Sequence, residues 1–111
     1  MISYEDFSKL DIRIAKIMTV EEIEGADRLY KVTLDAGDLE SGGLGIRTVA
    51  AGIKQHYQIE NLVGKQVVYL ANLEPRMLKG VESQGMILAA DAEQSVLLQP
   101  QTEVNSGVSV C

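Results

Sequence analysis

Apolar and polar residues change rhythm several times along this chain, and each change predicts a new element. Ser3 with Asp6 three residues on has the form of a helix N-cap with an acidic partner. Tyr4, Phe7 and Leu10 then recur at helical spacing, so a short N-terminal helix packed by that stripe is expected. From Asp11 the period falls to two, with Ile12 and Ile14 alternating with Arg13. The apolar phase slips to Ile17, and Val20 and Ile23 follow. Such a slip in a long strand predicts a β-bulge, the device that bends a strand round the corner of a small barrel. Glu24-Gly25-Ala26-Asp27 reads as a turn. Beyond it, Tyr30, Val32 and Leu34 alternate with Lys31, Thr33 and Asp35, the pattern of a half-buried strand.

The stretch from Gly37 to Gly45 is rich in glycine and lacks the GK[ST] ending of a phosphate loop, so it reads as a flexible hairpin connection. Arg47 to Ala51 gives another strand, and Ile59 with Leu62 can seat one helical turn. Gln66 to Leu73 is strongly strand-like, with Pro75 as its stop because proline cannot donate to a ladder. Met86 to Ala90 and Val96 to Gln99 predict two more strands, separated by Asp91-Ala92-Glu93-Gln94. Short strands joined by turns, with one internal helical turn, point to a compact barrel or sandwich. Periodicity alone does not separate an OB barrel from other small all-β folds.

Length and composition narrow the class. At 111 residues, 46% of them apolar, the chain fits one globular domain spanning 1–111. No apolar run approaches the roughly 20 residues of a membrane span, and the N-terminus lacks the basic and apolar stretches of a signal peptide. A cytoplasmic location is expected. Cys111 is the only cysteine, so an internal disulfide is impossible, in keeping with a reducing compartment. The net charge of −6 opposes a general attraction for polyanions, so any nucleic-acid site has to be a local basic patch on an acidic body.

Enzyme chemistry finds little support. His56 is the only histidine, and no serine is singled out as its partner for a hydrolytic triad. One histidine and one cysteine are too few for a zinc site, and Glu21, Glu22 and Glu24 lack the spacing of a calcium loop. No catalytic residue, metal or cofactor is expected.

The informative segment runs from Asn72 to Ala90, where NLEPRMLKG is followed by ESQGMILAA. Arg76 and Lys79 can neutralise phosphate, Asn72, Ser83 and Gln84 can bond to base edges or the 2′-hydroxyl, and Met86 can pack on a base face. On residue types alone, a polar connecting loop explains this stretch as well. The stretch resembles the tRNA-binding domain family, whose pattern is NL-x-PR-x-L-x-G and then S-x-GM-x-LAA. The family includes stand-alone dimeric tRNA-binding proteins, the C-terminal domain of methionyl-tRNA synthetase and a domain of multisynthetase-associated proteins. The resemblance extends to Asp6-Phe7, Leu10 to Ile17, Glu24 to Tyr30, Leu34 to Gly37, Thr48 to Ile53 and Leu62 to Lys65, and so covers about Tyr4 to Val110.

The resemblance implies an all-β OB-fold, a five-stranded Greek-key barrel with a short N-terminal helix and a short internal helical turn. It implies a non-catalytic module that recognises tRNA by shape with little sequence preference, as a homodimer, in trans to or as a subunit of an aminoacyl-tRNA synthetase. Carried over by position, the RNA-contact candidates are Arg28, Asn72, Arg76, Lys79, Ser83, Gln84 and Met86, with Lys31 and Lys54 as weaker additions. Asn72 could instead hold the turn backbone, Met86 could be core, and Ser83 could cap a strand. Glu74 and Met77 stand where many relatives have lysine, which removes positive charge from the segment. A dimeric peptide-binding secretion chaperone shares the fold and is the alternative reading.

Overall fold

The structure is a computed structural model describing residues 1–111. The 11-residue strand β1 (Ile12–Glu22) is its spine. Its first half pairs with β4 (Gln66–Leu70) and its second half with β2 (Tyr30–Asp35), both antiparallel. The change of partner falls where the sequence slips: the β1–β2 register is irregular between Ile17 and Thr19. One strand can thereby serve two faces, which is how a bulge helps close a barrel. With β3 (Ile46–Ala51) and β7 (Met86–Ile87) the sheet order is β3-β2-β1-β4-β7. This nearly closed five-strand antiparallel sheet is the expected OB-type barrel.

The alternation seen in the sequence becomes burial. Tyr30, Val32 and Leu34 of β2 point into the barrel while Lys31, Thr33 and Asp35 stay half-exposed. Ile17, Val32, Leu34, Val49, Val67 and Tyr69 are fully buried there. Leu62, also fully buried, arrives from the 3-10 turn Ile59–Asn61, the expected helical turn, and packs into the same core. Each such aliphatic side chain contributes roughly 1.5–3 kcal/mol relative to exposure. Two hairpins sit outside the main sheet, β5 (Arg76–Leu78) with β6 (Val81–Ser83), and β8 (Ala89–Asp91) with β9 (Ser95–Leu97). Residues 107–110 run back along the start of β1, where Ile14 N–H donates to the Val108 carbonyl (3.0 Å) and Val110 N–H to the Ile12 carbonyl (2.8 Å).

Four expectations need correction. The helix α1 (Tyr4–Ser8) forms, with Ser3 and Asp6 making a reciprocal capping box, but it buries no residue of its own. Tyr4 is 82% exposed and Leu10 44%, so the stripe faces solvent in this single chain. The strand preceding Pro75 stops at Leu70, its last residue paired with β7, and Ala71 N–H turns instead to the Asp11 carbonyl (2.8 Å). The glycine-rich loop is more than an open connection, because its two ends are closely packed while residues 38–42 stay exposed. A Cβ on Gly43 would lie 2.3 Å from the Gly37 carbonyl carbon, and one on Gly37 would lie 2.7 Å from the Ser106 carbonyl oxygen. Arg13, ion-paired to Asp11 at 2.8 Å, also donates to the Gly42 carbonyl at 2.7 Å and clasps the loop to the barrel. Finally, the polar segment after Pro75 is a hairpin with a two-residue turn, Lys79-Gly80. Both residues have positive φ (51° and 82°), as a type I′ turn requires.

Candidate functional site

Between β3 and β6 the barrel is not closed by an ordinary ladder. Gln84 N–H donates to the Thr48 carbonyl at 2.8 Å, and its side-chain oxygen accepts from Thr48 N–H at 2.9 Å. Two positions along, the Ser83 hydroxyl accepts from Ala50 N–H at 3.0 Å and donates to the Gly85 carbonyl at 3.1 Å. Two side chains thus stand in for the missing strand edge and satisfy backbone groups that would otherwise be left unpaired. Gly85 completes the seam on the other side. Its φ is +94°, and a Cβ there would lie 2.3 Å from the Leu70 carbonyl oxygen at the end of β4. The Tyr69 hydroxyl donates to the Gln84 carbonyl in the same place. Burial holds the Tyr69 phenol above its ordinary pKa, and nearby Arg47 offsets part of that rise.

This geometry sorts the candidates. Ser83 is 5% exposed with its hydroxyl spent twice, so it offers nothing to a ligand. Gln84 has its side-chain oxygen committed to β3. Asn72 joins two segments, accepting from Asp11 N–H at 2.8 Å and donating to the Lys9 carbonyl at 2.7 Å, and so holds the end of α1 against the end of β4. Lys54 turns inward, donating to the Ala26 carbonyl at 3.2 Å and pairing with Glu22 at 3.3 Å. Lys31 pairs more loosely with Glu21 at 3.9 Å. The acidic run of β1 thus has lysines to pair with, and no cluster of His, Cys, Asp or Glu gathers that could hold a metal ion.

The candidates that stay free lie around the β5–β6 hairpin, while Lys16, also exposed and outside the ion pairs, stands apart on β1 beside Gly64 and Gln66. Arg28, Arg76 and Lys79 are exposed and enter none of the four ion pairs. Arg28 and Lys79 line one shallow concavity between the first turn and the hairpin tip, with Asp27 beside them. Lys31 borders another beside Gly80 and Gln84. Arg76 is paired in register with Ser83, and it lies on the rim of a larger groove of about 540 Å³. That groove is lined by Leu73, Pro75, Leu78 and Met86 with Glu74 and Arg76, and Ala50, Ser83 and Gly85 complete it. Met86 is 46% exposed, so it is a groove wall and not core. His56 is structural, its Nδ1 accepting from Ser95 N–H at 3.1 Å, and the neighbouring Tyr57 hydroxyl accepts from Leu97 N–H at the same distance. No residue type marked those two in the sequence, since a side chain that supports a distant strand carries no local pattern.

Unpaired cations and a mixed apolar groove thus border the closing hairpin of a small OB-type barrel. The chain belongs to the family described as "Putative tRNA binding domain", whose model matches residues 12–109. It is 49% identical over 110 residues to methionine–tRNA ligase of Pyrococcus furiosus, covering 98% of this chain and 14% of that ligase. The chain therefore spans about one seventh of the curated relatives it matches. Among solved structures it is similar to a MetRS related protein from Pyrococcus horikoshii, with TM-score 0.89, 29% identity, and 100% and 98% of the two chains covered. It is also similar to the chaperone CsaA of Bacillus anthracis, with TM-score 0.86, 31% identity, and 100% and 99% covered. No helix is long and apolar enough to cross a membrane.

Proposed function

We propose that this chain is a non-catalytic tRNA-binding module that recognises tRNA by shape with little sequence preference, in trans to or as part of a methionine–tRNA ligase. The observation that carries this reading is the grouping of Arg28, Arg76 and Lys79, three exposed and unpaired cations, on one hairpin and the turn beside it. Free cations need break no ion pair to reach a phosphate, whereas Lys31 and Lys54 would first have to leave a carboxylate. Phosphate contacts position a nucleic acid without reading sequence. Met86 adds an exposed thioether beside the cations, suited to the face of a base. Ser83 and Gln84 act indirectly by holding the end of the hairpin on β3, and Asn72 by holding α1 against the end of β4.

The overall charge of −6 confines attraction for RNA to the local cations, whose phosphate contacts weaken as salt rises. A gel-shift series with total tRNA at several salt concentrations tests the reading. With three phosphates neutralised, the log–log slope is expected near −2 to −3, at roughly 0.7–0.9 per phosphate. No retained tRNA at low salt contradicts it.

The domain acts as a homodimer. The exposed apolar residues of the N-terminal segment, Ile2, Tyr4 and Leu10, and Val108 of the tail flank the start of β1 from both chain ends. A monomer mass by light scattering at micromolar concentration contradicts this. A second reading, peptide binding, is favoured by the apolar groove and by the similarity to CsaA. Competition between tRNA and an unfolded peptide separates the two.

A further inference from the structure

The groove beside Arg76 has a chemical asymmetry that phosphate binding does not use. Four of its residues, Leu73, Pro75, Leu78 and Met86, present apolar or thioether surface. At about 540 Å³ it is in the range of small-molecule sites, large enough for a flat ring and too small for a helix. Its only charged members are Glu74 and Arg76, and neither is ion-paired within the fold. Ser83, the one hydroxyl in the lining, is already saturated. The polar selectivity of the groove therefore rests on one carboxylate and one guanidinium.

These two groups are complementary to one base. A carboxylate at neutral pH accepts hydrogen bonds and donates none. It can pair both oxygens only with two adjacent donors. On the Watson–Crick edge, guanine alone offers that pair, N1–H beside the N2 amino group. Adenine and cytosine each present a donor next to an acceptor, and uracil places its single N–H between two carbonyls. The guanidinium is donor-only and positively charged, which suits a phosphate or the O6 and N7 acceptors of the same base. We propose that the groove seats one unpaired guanine of a bound RNA, with Glu74 accepting from N1–H and the N2 amino group while the ring packs between Met86 and the apolar wall. This rests on the tRNA-binding reading and deepens it: cations grip the backbone irrespective of sequence, and one pocket selects a base. Glu74, a loss of charge from the standpoint of phosphate contact, becomes a selectivity residue.

The test uses the 111-residue chain and three mononucleotides, GMP, IMP and AMP, titrated separately. The readout is the shift of backbone amide resonances of Leu73, Gly85 and Met86. GMP is expected to bind at least about fivefold more tightly than IMP, which lacks the N2 amino group, or AMP, a ratio at the low end for a bidentate base contact. In Glu74→Gln, which keeps size, removes one acceptor and adds a donor, the preference for GMP is expected to disappear, and AMP, whose edge offers a donor beside an acceptor, is expected to bind at least as well as GMP. Equal affinities in the native chain, a guanine preference that survives E74Q, or shifts confined to residues elsewhere would each overturn the proposal. So would a leucine-rich peptide that moves these amides while GMP leaves them in place. The tRNA gel shift is run in parallel. Retained tRNA binding without nucleotide selectivity removes the guanine pocket alone. Selectivity for GMP without tRNA binding removes the shape-recognition reading and leaves the pocket.

Discussion

Two parts of one short segment, the hairpin rim at 76–79 and the seam at 83–85, use polar residues in opposite ways. At the seam, Ser83 and Gln84 have turned their hydrogen-bonding groups onto β3, and Gly85 has given up a side chain to reach β4. Along the rim, Arg76 and Lys79 are exposed and have no internal ion-pair partner. A polar residue near a proposed binding surface is therefore no evidence of contact until its partners are counted. The seam is expected to govern stability and the rim affinity, so substitutions in the two should fail differently.

The sharpest break comes from Gly85→Ala. A methyl group 2.3 Å from the Leu70 carbonyl oxygen, on a residue at φ +94°, has no room and no relaxed backbone. A loss of at least about 3 kcal/mol is expected in urea unfolding, enough to endanger folding of a small domain. Ser83→Ala is next. It leaves Ala50 N–H without its partner at the barrel edge, and a cost of about 1–3 kcal/mol is expected with tRNA affinity per folded molecule unchanged.

Tyr69 sharpens the seam side of the comparison through pH. Its phenol is held above the ordinary value near 10 by burial. The folded state therefore keeps the proton longer than the unfolded state does. The stabilisation is fully present below pH about 10 and is lost as pH rises through the folded value. Tyr69→Phe is expected to cost about 1 kcal/mol at pH 8, through the lost bond to the Gln84 carbonyl. That gap to the native chain should narrow above pH about 10, measured as the difference in urea midpoints.

The smallest stability effect is expected at the rim. Lys79 has φ 51° in the first central position of its turn, a conformation asparagine tolerates better. Lys79→Asn is expected to raise stability by about 0.5 kcal/mol while weakening tRNA binding. Opposite signs from one substitution would mark Lys79 as a residue kept for binding at some cost to the fold.

Much of the fold was legible because burial leaves a period. β2 reads in and out as its residues alternate, and the phase slip at Ile17 marks the bend of β1. The partner of a polar side chain leaves no such trace. Ser83, Gln84 and Asn72 look the same in sequence whether they face RNA or a backbone group 33, 36 or 61 residues away. The packed glycine loop was illegible for the same reason: Gly37 and Gly43 look flexible until Ser106 and Gly107 arrive from the far end of the chain. The amphipathic stripe of α1 was visible, but a period does not say whether a stripe is covered, and in the structure the helix buries none of its residues.

The most direct test of the division between rim and seam is the salt dependence of tRNA affinity in the double variant Arg76→Ala, Lys79→Ala, measured beside its melting temperature. A log–log slope shallower than that of the native chain by about 1.4–1.8, with weaker binding at low salt and a melting temperature no lower than native, is the predicted result. A native slope and affinity, or a loss of binding that merely follows a loss of folding, would contradict it.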